Sequence, residues 1–218
     1  MLSALMLFGF AACGSRDGGD RPSAPQPANE GGGTENVQDS SGQQEEERKE
    51  SSSEGKTLVV YYSATGYTEK VANYIAEATG GELFELEPAE VYSREDLDWT
   101  NKDSRVSREY ANPEEREAAL AASTVSDWET YDTVFIGYPI WWGDMPRILY
   151  TFFDAYDFSG KTIAPFCTSG GSGLSGTPKT IAELESGATV LDGLHVSDSA
   201  ADNSESKVSD WLADIGRT

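Results

Sequence analysis

Residues 57–80, TLVVYYSATGYTEKVANYIAEATG, change character twice over a short span. TLVVYY is a run of β-branched and aromatic residues, the pattern of a strand buried in a sheet. Ser63, Thr65 and Thr68 then crowd three hydroxyls around Gly66. Beyond them Val71, Tyr74, Ile75 and Ala78 recur at helical spacing, and Gly80 and Gly81 close the helix. A strand that runs through a hydroxyl-rich turn into a helix is a first α/β unit, and the helix start carries unpaired backbone N–H groups that attract an anion. The turn lacks the Gly-Lys-Ser/Thr of a nucleoside-triphosphate loop and the G-x-G-x-x-G spacing of a dinucleotide loop. The implied anion is a terminal monophosphate held by neutral donors. A plain helix cap is the simpler reading of the same residues, but three hydroxyls exceed what one cap uses.

Outward from this unit the alternation continues. ELFELE (82–87) reads as a second strand, and TVFIGY (133–138) as a third, apolar on both faces. MPRILYTFFDAY continues as a helix with Pro146 in its first turn. KTIAPFCTS (161–169) is a fourth strand, with Pro165 counting against an unbroken ladder. A short helix from Thr177 to Leu184, an apolar fragment ATVLDGLHV, and a last helix with Val208, Trp211, Leu212 and Ile215 on one face complete the series. The expected architecture is α/β, a doubly wound parallel sheet with helices on both faces. Residues 88–130 break the rhythm. Asn112, Pro113 and Glu115 mark the start of one helix there, and VYSREDLDWTNKDSRVSREY is polar with interspersed aromatics, an excursion expected to frame the site.

Composition separates a tail from this domain. From Gly14 to Glu54 the 218-residue chain is nearly free of apolar side chains and reads as a disordered acidic linker, leaving residues 55–218 as the folded domain. The whole chain carries a net charge of −22, and the domain alone holds 28 acidic against 12 basic residues, or −16. That charge repels nucleic acid and anionic lipid and favours a basic partner protein. With His195 the only histidine and Cys13 and Cys167 the only cysteines, a structural zinc site or a disulfide framework has no ligands to draw on. Cys167 reads as a buried strand residue without a redox role, and His195 as structural or solvent-facing.

The first thirteen residues, MLSALMLFGFAAC, are apolar but too short to span a bilayer, and they read as a signal peptide. Phe10-Ala11-Ala12-Cys13 resembles a bacterial lipobox, which implies lipidation at Cys13 and an extracytoplasmic protein anchored to the cell membrane through lipid alone. The basic residues that usually open such a signal are missing.

In an open parallel sheet, ligands collect at the carboxyl ends of the strands, where strand order reverses. Three segments follow strands here: Ser63 to Thr68, Pro139 to Asp144, and Thr168 to Gly176. The first offers hydroxyls and amides for a phosphate. The second sets Trp141 and Trp142 beside Gly143, flat surfaces for an aromatic ring. The third has four glycines, which let backbone approach the polar edge of a planar group. Asp144 could tune such a ligand or cap the following helix, the second being preferred. Together the loops describe a phosphate, a connecting chain and a flat heterocycle.

SATGYT resembles the phosphate loop of flavodoxins. YPIWWGDMP and PFCTSGGSG resemble the flavodoxin-like family of bacterial, often secreted or lipid-anchored, proteins over most of residues 56–211. The resemblance implies a five-stranded sheet of order 2-1-3-4-5 and flavin mononucleotide (FMN) as cofactor. It implies phosphate contacts from Ser63, Thr65, Gly66, Tyr67 and Thr68, and contacts to the flavin ring from Pro139, Ile140, Trp141, Trp142 and Gly143. Thr168, Ser169, Gly170, Gly171 and Gly173 would bind the other edge of the ring. Many flavodoxins place an aromatic in this last loop; none lies between Thr168 and Gly176, so one ring face is expected to stay open. The resulting expectation is an electron-transfer protein tethered at the cell envelope, with no catalytic side chain and a basic redox partner. An FMN-dependent NAD(P)H:quinone-type reductase and a cofactor-free binding module of the same fold are the alternatives.

Overall fold

The computed structural model describes residues 55–112, 120–121 and 124–217. The signal segment with Cys13, the linker, and the residues from Pro113 onward that were expected to open a helix lie outside the described residues.

The apolar run that opens the domain forms β1 (Lys56–Tyr61), and α1 (Tyr67–Thr79) follows after a five-residue turn. β2 (Glu82–Glu85) and β3 (Tyr131–Pro139) pair with β1 on either side, and β4 (Thr162–Ser169) pairs with β3, all parallel. The fifth position holds two short strands, β5 (Thr189–Val190) and β6 (Leu194–Ser197). The sheet order is 2-1-3-4-5 with β6 also on β4, as the resemblance implied.

Pro165 explains the divided fifth strand. β5 pairs with Thr162 and Ile163, and β6 resumes at Phe166, so Pro165 falls in the gap. The ladder to β3 runs through unbroken, with Pro165 opposite Ile136. A residue without an N–H interrupts a ladder only on the side its N–H would have faced. The Pro165 carbonyl, which points to that same side, lies 3.0 Å from where a Cβ on Gly193 would stand.

Alternation along the strands divides the core into two layers. Leu58, Val60, Val134 and Ile136 pack against Ile148, Leu149 and Phe152 of α3 (Arg147–Ala155) and Ile181 of α4 (Thr177–Leu184). Val59, Phe135, Ala164 and Phe166 pack against Val71 and Ile75 of α1 and Val208, Trp211 and Leu212 of α5 (Glu205–Asp214). Most of these side chains are wholly buried, and each apolar side chain so placed contributes about 1.5–3 kcal/mol of transfer free energy. Pro146 precedes α3 at its cap position rather than sitting in its first turn.

The excursion between β2 and β3 contains a helix that the hydrophobic pattern did not reveal, α2 (Arg105–Ala111). Ser104 caps its start, accepting from the Ser107 N–H, and the Asn112 N–H donates to the Arg108 carbonyl at its end. Asn112 therefore ends one helix. Only Val106 of α2 is buried, which is why no apolar stripe announces it.

Candidate cofactor site

The three loops after β1, β3 and β4 meet at the carboxyl edge of the sheet around a cavity of about 580 Å³. Ala64 and Thr65 line it from the first loop, Pro139, Ile140, Trp141 and Trp142 from the second, and Thr168, Ser169, Gly170 and Ser172 from the third. Ser63, Gly66, Tyr67, Thr68, Gly143, Gly171 and Gly173 do not line it; they shape the loops that do.

In the first loop the Gly66 N–H donates to the Ser63 hydroxyl at 3.0 Å, which leaves the Ser63 proton free to point outward. Gly66 has φ 86°, a left-handed conformation that a side chain would strain, and no side chain caps α1. The hydroxyl cluster is therefore not spent on an N-cap, and the first-turn amides remain available for an anion. Lys70, the cation nearest this turn in sequence, is ion-paired with Asp202. Tyr67 opens α1 and packs against the α1/α5 core, with Lys70 over its ring.

The second loop is a tight turn. The Trp141 N–H donates to the Asp144 carbonyl at 2.8 Å and the Asp144 N–H returns to Trp141 at 3.0 Å, while Trp142 and Gly143 both carry positive φ, 49° and 80°. Positive φ at both central residues defines a type I′ turn, where Asn-Gly is the favoured pair and a tryptophan is strained. The two indoles diverge. Trp141 meets Tyr62 and Tyr92 edge-on, with centroids 5.8 and 5.4 Å away. Trp142 turns outward and stacks on Tyr110 at 5.1 Å and 13°. Burial pushes the Tyr62 and Tyr92 phenols to higher pKa, so both stay neutral. Asp144 does not cap α3 as preferred above; its carboxylate accepts from the Met145 N–H and from the Tyr150 hydroxyl, anchoring the turn to α3.

Cross-links hold the third loop to the others. The Ile140 N–H donates to the Thr168 carbonyl at 2.9 Å, and the Thr68 and Thr168 hydroxyls lie 2.9 Å apart. Ser169 Oγ accepts from the N–H groups of Gly171 at 3.3 Å and Ser172 at 3.0 Å and lies 2.9 Å from His195 Nε2. His195 thus belongs to the support of the site. Cys167 is buried, its thiol donating to the Gly173 carbonyl at 3.4 Å, and burial pushes that thiol up to about 12.

Besides Ala64 and Ser172 within the expected loops, sequence reasoning missed four contributors from outside them. Leu97, Trp99 and Val106 come from the excursion, which therefore frames the site as expected, and Asp198 comes from the 3-10 turn Asp198–Asn203. Trp99 is 71% exposed, held by a chain of local bonds: Ser93 with Asp96, Asp98 with Thr100, and Asn101 with Asp103. A tryptophan in a polar stretch, with no apolar period to assign it to the core, was the one available signal. Burial holds the Asp198 carboxyl above the usual carboxylate range, opposed by the nearby His195.

The flavodoxin family model matches residues 56–215. The chain belongs to the flavodoxin family. No curated protein matches it. Among solved structures, a candidate flavoprotein of Bacteroides eggerthii is 37% identical, with a TM-score of 0.68, covering 75% of this chain and 99% of that one. One from Bacteroides uniformis is 40% identical, with a TM-score of 0.67, covering 73% and 98%. A flavoprotein of Lactobacillus acidophilus solved in complex with FMN is 24% identical, with a TM-score of 0.53 over 71% of this chain and 99% of that one, a likeness of fold. The family model begins at residue 56 and leaves the N-terminal tail unmatched.

Proposed function

We propose that this flavodoxin-family domain binds FMN at the carboxyl edge of its sheet and works as an electron-transfer protein tethered outside the cytoplasmic membrane. The observation that carries the reading is the convergence of the three loops on one cavity, with neutral donors at the α1 end and indoles on its wall. The donor set fits the cofactor. The first-turn amides of α1, with Ser63 and Thr65, suit a monophosphate, while Trp141, Trp142 and the backbone of Thr168 to Gly170 suit a flat ring with polar edges. FMN, when bound, supplies the redox chemistry. The protein's own residues bind and orient the ring, shield it from water and set its electrostatics. The acidic domain steers a basic redox partner, with a rate that falls as salt rises. The N-terminal segment with Cys13 supplies the tether through lipid.

Fluorescence titration of FMN with the purified apo-protein tests the binding. Stoichiometric quenching is expected, and Thr65→Ala weakens the affinity about tenfold, the loss of roughly one charge-assisted hydrogen bond. Absence of quenching sinks the flavin reading. Steady-state oxidation of a nicotinamide by the protein alone would replace the carrier with a reductase. Membrane fractionation of a Cys13→Ala variant tests the tether, which predicts loss from the membrane pellet.

A further inference from the structure

His195 lies on β6, in register with Cys167 of β4, with its ring Nε2 at 2.9 Å from Ser169 Oγ. A hydroxyl has one proton to give and two lone pairs to receive. Both Ser169 lone pairs are occupied, by the N–H groups of Gly171 and Ser172. The Ser169 proton therefore points to Nε2, and the neutral imidazole keeps its own proton on Nδ1. In this state the third loop satisfies itself and offers the cavity no Ser169 donor.

Protonating the ring inverts the arrangement. Nε2–H then donates to Ser169 Oγ, which faces three donors with two lone pairs. The Ser169 O–H is released, together with one of the two amides; the Gly171 bond at 3.3 Å is the longer and the easier to give up. Ser169 lines the cavity, so its released O–H stands where a ligand's acceptor atoms would lie, whereas the Gly171 amide belongs to the loop behind it.

We infer that His195 is a proton-operated positioning residue: when charged, it turns the third loop from self-paired to donor-presenting, so that a ligand with acceptor atoms on its ring edge binds with proton uptake at His195. The ligand half of this inference rests on the flavin reading. Among the described residues, the groups in position to bias the imidazole are few. On β4 they are Ser169 and the Cys167 thiol, which burial keeps neutral; on the 3-10 turn it is the Asp198 carboxyl, which interacts with the ring. Lys207 of α5 interacts electrostatically with the Cys167 thiol. By reciprocity, a ligand that binds the charged form better raises the ring's own proton affinity by the same factor.

Because His195 is the only histidine, an untagged full chain labelled with 15N at histidine reports on it without assignment. Long-range 1H–15N spectra at high pH are expected to show the Nδ1–H tautomer, and Ser169→Ala to lose that preference. FMN quenching is then followed from about pH 8 to about pH 5, the interval in which imidazoles titrate. The wild type is expected to gain about tenfold in affinity relative to His195→Gln across that interval, one donor's worth of binding. Comparing proteins at each pH cancels the titration of the FMN phosphate. Saturating FMN should move the His195 midpoint upward by about one pH unit, the same tenfold read from the other side. An Nε2–H tautomer in the neutral ring, or parallel profiles for wild type and His195→Gln in proteins that bind FMN, overturns the inference and leaves the flavin reading standing. Failure of the wild type to bind FMN at any pH overturns both.

Discussion

The hydroxyls of Thr68 and Thr168, one hundred positions apart in the chain, lie 2.9 Å from each other in the buried seam between the first and third loops. Both side chains are nearly inaccessible, at 1% and 2%. Thr68 ties the first loop to the third, and so sets the spacing of the two ends of the cavity. Replacing Thr168 by valine strands the Thr68 hydroxyl, at a cost of about 1–3 kcal/mol. The double replacement by valine should recover part of the loss, since no lone polar group remains. Urea unfolding of the four proteins measures this, and strictly additive losses would refute the coupling.

Trp142 is held at φ 49° in a turn that favours Asn-Gly. Trp142→Asn should relieve backbone strain while losing the stack on Tyr110, effects of about 1 kcal/mol each with opposite sign. Stability should therefore change by less than about 1 kcal/mol while FMN affinity falls about tenfold. Thermal melts and flavin titrations separate the two, and a variant that binds as tightly as wild type removes Trp142 from the site.

Trp99 lines the cavity from the excursion, while the third loop offers no aromatic. Being 71% exposed, it contributes little to the core, so Trp99→Ala should leave the urea midpoint unchanged. FMN binding should weaken several-fold, by the roughly 0.5–1.5 kcal/mol of an aromatic contact. Unaltered affinity would mean that the ring face on that side is open, as the third loop alone suggests.

Glu185, where α4 ends, is far from this chemistry. Burial, then Asp157 and Asp154, raises its carboxyl above the ordinary range. The folded state thus holds the proton more tightly than the unfolded state, and stability falls as pH rises from the unfolded toward the folded value. Glu185→Gln removes that penalty. The variant should melt higher than wild type near neutral pH, with the advantage fading below about pH 4, where the carboxyl is protonated in both states. A constant difference at all pH values would point to a cause other than ionisation.

Much of the fold was legible because its signals are local. Leu58 to Tyr61, Val134 to Tyr138 and Ile163 to Cys167 are uninterrupted apolar runs, and a strand buried on both faces needs nothing else. Pro165 announced a weakened ladder correctly, but not which neighbour would lose it. α2 escaped notice because it rests on Ser104 and a single buried residue, Val106, and leaves no periodic stripe. The three loops were legible as a site since their residue types are costly elsewhere. Asp198 and Leu97 were not, because ordinary acidic and apolar residues acquire a role only from where the chain carries them.

The sequence by itself determined the alternation of strand and helix, the order of the loops, the acidity of the domain and the aromatic and hydroxyl chemistry available to a ligand. Each of these depends on residues within a few positions of one another. Tertiary structure alone decided that Thr68 would pair with Thr168, that Trp99 would reach the cavity, and that His195 would hold Ser169. Those contacts span 100 residues in the first case and 26 in the last, and hydrogen bonds act over about 3 Å. No local pattern encodes such a distance; it exists only once the sheet has brought the ends of its strands together.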